Sequence, residues 1–217
     1  MKPLLIILFF IFQVILGCTQ KTASVRKSDD IAVGGRCEGC EAIFESPVPF
    51  ESLKAIDTLP GFDQPGQKIA ISGTVFQSDG KTPAKDVIIY VYHTDQNGLY
   101  PKKGDEKGWA RQHGYIRGWL KTDGNGFYKF FTLLPASYPD SRNPKHIHIT
   151  VKEPGKTAYW LEDFLFEGDP YLEKPVNPRK PKGGNGVVKL SGPSRLLKAE
   201  RNLVLGLNVE DYPAKAD

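Results

Sequence analysis

Beyond its first 17 residues this 217-residue chain has no apolar run of transmembrane length, so no spanning helix is expected there. It has no dense stripe of one charge either. Its 29 lysines and arginines are interspersed with 25 acidic residues, giving a net charge of +4. The nearest thing to a basic cluster, Pro178-Arg179-Lys180-Pro181-Lys182, reads as a solvated loop, and no nucleic-acid partner is expected. Three cysteines are present, with no second Cys/His pair at zinc spacing. No nucleophile motif with a partnered histidine and no internal repeat is visible. Gly183-Gly184-Asn185-Gly186 has no Lys-Ser/Thr after it and is therefore no phosphate loop. Segments of helical period are almost wanting as well.

What is there begins with a leader. Lys2 is a short basic start, and residues 4–16 form an apolar stretch too short to cross a bilayer comfortably. It ends in Ile15-Leu16-Gly17-Cys18, which resembles a bacterial lipobox. Residues 1–17 are thus expected to be a signal peptide and Cys18 a lipidated N-terminus; the other reading is an ordinary secretory signal with Cys18 incidental. On either reading the protein is exported, to the periplasm or cell surface. Acyl chains on Cys18 would anchor it to a membrane without a spanning helix, and Thr19 rather than Asp after the cysteine favours the outer membrane. In an oxidising compartment Cys37 and Cys40, of Cys37-Glu38-Gly39-Cys40, are expected to form a structural disulfide.

Residues 19–35 are polar and small, consistent with a flexible tether. Residues 18–64 read as tether and irregular N-terminal arm, and 65–217 as one domain. Strands are expected at 68–76, 87–92, 115–121, 127–133, 145–151, 160–166 and 202–209, with one short helix at 195–200. Asp123-Gly124-Asn125-Gly126 carries a hairpin signal between two of them. Short strands with turn signals between them imply an all-β antiparallel β-sandwich with few or no helices.

The most informative segment is Lys145-His146-Ile147-His148-Ile149-Thr150-Val151. It alternates and is β-branched, as a strand does, so His146 and His148 project from one face, close enough to share a metal ion. Two histidines rarely complete a site. No carboxylate is suitably spaced upstream, but two tyrosines are: Tyr100 in Asn97-Gly98-Leu99-Tyr100, and Tyr138 in Leu134-Pro135-Ala136-Ser137-Tyr138-Pro139. Two phenolates and two imidazoles form a donor set suited to Fe(III).

With Gly73-Thr74-Val75, residues 87–100, Thr122-Asp123-Gly124-Asn125-Gly126-Phe127-Tyr128, Tyr138-Pro139, His146-Ile147-His148 and Phe166-Glu167-Gly168-Asp169-Pro170 in this order, the chain resembles the intradiol ring-cleavage dioxygenases over residues 65 to 210. That family includes the catechol and protocatechuate dioxygenases. The resemblance implies one Fe(III), with Tyr100 as first ligand, Tyr138 as axial tyrosinate, His146 as axial histidine and His148 as equatorial histidine. It implies a small aromatic diol and O2 as substrates and a cis,cis-muconate-type product. Tyr138 would leave the metal and take up a substrate proton. The family carries an arginine three residues before the first histidine; here that position is Asn143, and Arg142 stands one residue earlier. Arg142 is the candidate for the same charge-stabilising role. The classical catechol enzymes also have an N-terminal helical dimerisation domain, and nothing similar is visible here.

The remaining histidines read less sharply. His93 either lines the substrate site or is a hydrogen-bonded core-edge residue, and His113 reads as a loop residue. Trp109, Trp119 and Trp160 read as core or pocket wall. Two alternatives stand beside the enzyme: a prealbumin-like binding module, on which Tyr100 and Tyr138 are turn and corner tyrosines, and a catecholate-binding lipoprotein without oxygenase activity.

Overall fold

The computed structural model describes residues 30–172 and 180–214. The leader at 1–17, Cys18 and the tether residues 19–29 lie outside the described residues. The strands are β1 (Ile56–Thr58), β2 (Lys68–Phe76), β3 (Ile88–Tyr92), β4 (Arg117–Lys121), β5 (Phe127–Leu133), β6 (His146–Lys152), β7 (Tyr159–Trp160), β8 (Phe164–Phe166), β9 (Val187–Val188), β10 (Leu197–Glu200) and β11 (Leu203–Val204). One helical turn, α1 (Ala110–His113), follows the β3 loop. Two sheets form a sandwich: β1-β5-β2-β10 with β11 also on β2, and β4-β3-β6-β8-β9 with β7 also on β6. The central pairings β2–β5, β3–β4 and β3–β6 are antiparallel, whereas β1, β9, β10 and β11 join parallel to their neighbours.

The core lies between the sheets. Ile69, Ile71, Val75, Tyr128 and Phe130 face Ile89, Val91, Leu120, Ile147, Ile149 and Val151. Each fully buried aliphatic side chain here contributes about 1.5–3 kcal/mol. On β6 this alternation fixes the register: a slip by one residue would bury His146 and His148 and expose three aliphatic side chains. The two histidines therefore stand on the outer face of the second sheet.

Four expectations are corrected. First, the Asp123-Gly124-Asn125-Gly126 turn does not close a hairpin. Asp123 Oδ1 accepts from Asn125 N and Phe127 N at 2.9 and 3.0 Å, as a tight turn requires, but β4 pairs with β3 while β5 pairs with β1 and β2. The turn carries the chain from one sheet to the other. Val87 N donates to Thr122 Oγ1 on one side of it, and Val75 N donates to Gly126 O on the other. Second, residues 197–200 form no helix. They run parallel to β2, from Leu197 opposite Ile69 to Glu200 opposite Ser72, because β2 still offers an open edge there. Third, the segment 160–166 is broken into β7 and β8, and 202–209 keeps only the two-residue β11 before turning at Gly206 and Asn208. Fourth, Lys182 is no solvated loop residue. It is buried, donating to Gly34 O and Glu210 Oε2 at 3.0 and 2.9 Å.

Residues 30–64 are built into the sandwich. Val33 is buried and Gly34 N donates to Glu210 O. Cys37 and Cys40 are joined by a disulfide. The following turns place Ala42, Ile43 and Leu53 on Ile88, Tyr90 and Trp119, a second small core on the outer face of the β4-β3-β6 sheet. Trp119 Nε1 donates to Ile43 O at 2.9 Å, so the indole is paired as well as covered. This arm covers one end of the outer face and leaves the end that carries the histidines.

Candidate metal centre

Three pieces of chain meet at that end. β6 supplies His146 and His148. The loop after β3 supplies Tyr100, and the loop after β5 supplies Tyr138. The two loops are fastened to each other: Ala136 N donates to Asp95 O, and Thr94 Oγ1 to Ala136 O. Gly98 has φ +76°, and a Cβ there would stand 2.0 Å from Ser137 O. Only glycine lets the Asp95–Leu99 turn approach the Tyr138 loop this closely.

The four donor atoms converge. Tyr100 Oη lies 2.6 Å from Tyr138 Oη and 2.9 Å from His148 Nε2. Tyr138 Oη is 3.2 Å from His146 Nε2 and 3.4 Å from His148 Nε2, and the two Nε2 atoms are 3.1 Å apart. Metal–ligand bonds of about 2.0–2.2 Å set adjoining donors roughly 3 Å apart. Both imidazoles are tautomerically fixed. His146 Nδ1 donates to Pro144 O at 2.7 Å, and His148 Nδ1 to Asp163 Oδ1 at 3.2 Å. A carbonyl and a carboxylate only accept, so each ring carries its proton on Nδ1 and turns an Nε2 lone pair inward. The residues present therefore fit a metal ion.

The electrostatics fit as well. Burial, with His148 beside it, holds the His146 pKa below the ordinary range, which keeps its lone pair available. Burial raises the pKa of Tyr100 and of Tyr138 above that of a free phenol. Phenolate there requires a strong local cation.

His146, His148 and Asp163 also have donor atoms within 4.8 Å of one another, which suggests a two-histidine, one-carboxylate set. The hydrogen bonds argue otherwise. Asp163 meets the Nδ1 side of His148, opposite the nitrogen that faces the tyrosines. It is an outer partner of the ligand, a common arrangement around metal-binding histidines.

Sequence reading missed three neighbours. Asp163 lies downstream of both histidines, beyond the reach of an upstream spacing argument. The Tyr92 ring is stacked between His148, 4.5 Å away, and His113, 3.7 Å away at 7°. His113 ends α1 and is buried, with Nδ1 2.8 Å from Tyr90 Oη, so it is not an open loop residue. His93 is fully buried and bonded to Thr94 O and Thr132 Oγ1, both at 2.7 Å, as a core-edge histidine. Arg142 is exposed on the Tyr138–His146 loop and has no hydrogen-bond or ion-pair partner among the described residues. A cavity of about 420 Å³ opens beside His148, with Tyr92, Trp160, Glu38, Glu162 and Asp163 among its walls. A wider groove of about 830 Å³ over Arg117 and Trp119 includes none of the four donors.

The chain is similar to known dioxygenases. The Dioxygenase_C family model, described as Dioxygenase, matches residues 50–180. The protocatechuate 3,4-dioxygenase beta chain of Burkholderia cepacia is 27% identical over 113 residues, covering 49% of this chain and 48% of that one. Hydroxyquinol 1,2-dioxygenase of Corynebacterium glutamicum is 32% identical over 124 residues, covering 50% of this chain and 39% of the relative. The chain thus spans about half or less of these relatives' length. Among solved structures, the dioxygenase domain of a carbohydrate-binding fusion from Streptomyces sp. SirexAA-E superposes with a TM-score of 0.53 at 22% identity, over 68% of this chain and 85% of that one. Catechol 1,2-dioxygenase from Acinetobacter sp. ADP1 gives 0.53 at 20% identity, over 75% and 61%. These two structures speak for the fold, and the family model, which spans more than half of the chain, speaks for descent: the chain belongs to the intradiol ring-cleavage dioxygenase family.

Proposed function

We propose that the protein is an Fe(III)-dependent dioxygenase that opens a catechol-type ring between its two hydroxylated carbons, giving a cis,cis-muconate-type product. One observation carries the reading: two phenol oxygens and two imidazole Nε2 atoms converge, with both Nδ1 atoms already engaged by acceptors. Tyr100, Tyr138, His146 and His148 are the residues that would hold the metal. Two phenolates favour the ferric over the ferrous state, in contrast to the two-histidine, one-carboxylate set that suits Fe(II). Bound there, Fe(III) supplies Lewis acidity and electron acceptance toward a diol that meets O2.

The chain's own residues do the rest. Tyr100 packs against Tyr92 and lies against both Tyr138 and His148, so it is hemmed in. Tyr138 meets His146 edge-on, with ring centres 5.1 Å apart. We assign Tyr138, as the family resemblance implies, as the phenol that moves aside for a diol and whose Oη accepts one hydroxyl proton. His146 and His148 stay in place on β6, whose inward neighbours lock the strand. A binding module without chemistry has no use for two imidazoles turned inward on two phenols.

We assign Arg142 to charge stabilisation at the diol site from its place on the Tyr138 loop. The Ile15-Leu16-Gly17-Cys18 motif supports an exported protein anchored by lipid at Cys18, and the Cys37–Cys40 disulfide accords with an oxidising compartment. The test is O2 uptake by the Fe(III)-loaded protein with catechol. Stoichiometric uptake with muconate-type absorbance supports the enzyme. Catechol binding without uptake supports the catecholate-binding alternative.

A further inference from the structure

We propose that Asp163 is the positioning residue of His148, holding the ring so that its Nε2 lone pair faces Tyr100. The proposal rests on the Fe(III) reading above. It begins with a count along the sheet. His146 and Ile147 of β6 stand opposite Leu165 and Phe164, while Thr150 and Val151 stand opposite Trp160 and Tyr159. Two residues of β6, 148 and 149, therefore face three of the partner, 161, 162 and 163. The extra residue is a β-bulge, a device that re-aims side chains beside active sites.

The bulge has a visible consequence. Tyr159 and Leu161 point into the core, and so do Phe164 and Phe166, so the parity of the strand changes between them. Glu162 and Asp163 consequently both face outward, one after the other. The aim of Asp163 is held by the backbone on either side. Leu161 N donates to Ile149 O, and Leu165 N to Gly186 O. A Cβ on Gly186 would stand 2.2 Å from Asp163 O, so the neighbouring chain presses directly on this carbonyl.

Asp163 Oδ1 then meets His148 Nδ1, and Tyr92 stacks on the face of the same ring. Edge and face are both constrained, which leaves the Nε2 lone pair one direction, toward Tyr100. An outer carboxylate on a ligating histidine fixes the tautomer and raises the basicity of the ligand.

The experiment compares the full chain, Asp163→Asn and Asp163→Ala. Fe(III) affinity is measured by chelator competition. Asp163→Ala is expected to lower iron affinity by about 10- to 100-fold. Asp163→Asn keeps an acceptor oxygen of the same shape and is expected to retain most of that affinity. Wild-type iron affinity in Asp163→Ala overturns the positioning role, and a loss in Asp163→Asn as large as that in Asp163→Ala overturns the acceptor oxygen as its cause. If the unsubstituted chain takes up no stoichiometric iron, the Fe(III) reading itself falls and takes this proposal with it. An iron-loaded wild type with indifferent variants removes the Asp163 assignment alone.

Discussion

The two faces of β6 share one backbone and divide its labour. Ile147, Ile149 and Val151 are sealed in the sandwich core, while His146 and His148 stand on the outer face between them. A second contrast runs along that outer face. At one end Ile43, Leu53, Tyr90 and Trp119 are closed over by the N-terminal arm. At the other, Tyr92 and His148 line a cavity, with Tyr100, Tyr138 and His146 beside them. The difference shows how a half-buried site gains precision. The ligands inherit their fixed spacing from inward neighbours that hold the strand, and their partners arrive on loops and a bulge.

Substitutions on the two faces should therefore fail in different ways. The largest effect belongs to the outer face. His148→Ala should abolish stoichiometric Fe(III) binding and reduce turnover by far more than the ~10–100-fold expected for loss of an outer partner. Its unfolding free energy in the apoprotein should change little, as denaturant titration can check. A large loss of stability would mean that the two faces are not separable. Next, Ile149→Ala on the inner face should lower stability by about 2–5 kcal/mol through lost burial and a cavity. The fraction that remains folded should still take up one iron, so a specific loss of iron without destabilisation would break the contrast from the other side.

A comparable effect should appear with pH. His93 is buried as the neutral ring, and burial lowers its pKa from 6.5 to about 4. Between those values the unfolded chain binds a proton that the native protein does not, so stability must fall as pH drops through that window and level off below about 4. The loss should be about 3 kcal/mol at most. His113 is lowered in the same way, also to about 4, and adds in the same direction. Denaturation of the apoprotein between pH 7 and 4 measures the slope, and His93→Gln should flatten it; an unaltered slope would assign the pH dependence elsewhere. The smallest effect should come from Arg142→Ala. The charge is exposed and screened, so turnover should drop by ~10-fold at most, with iron content intact. Unchanged turnover would end its assignment.

The inner face was legible in the sequence, because alternation of β-branched residues has one physical meaning in a half-buried strand. So was the histidine pair, since parity alone puts His146 and His148 on one side. The two loop tyrosines came from segment order, and Gly98 was their only local structural signal. The Asp123–Gly126 turn misled because its local chemistry states that the chain reverses, not which strand it will pair with afterwards. Leu197–Glu200 misled for a similar reason: a helix-compatible composition was overridden by an open strand edge. Asp163 was hidden by the bulge. Residues 159–161 and 164–166 are all apolar, so the sequence holds no alternation there, and only the burial of Tyr159, Leu161, Phe164 and Phe166 marks the insertion. Nothing announced His113 either, whose stacking on Tyr92 depends on where α1 docks.

The most direct measurement is the visible absorption spectrum of the Fe(III)-loaded full chain, alone, with catechol, and with Tyr138→Phe. A tyrosinate-to-iron charge-transfer band that weakens in Tyr138→Phe and shifts when catechol is added is the expected result. A colourless protein that takes up no stoichiometric iron would contradict the metal centre and leave a β-sandwich binding module in its place.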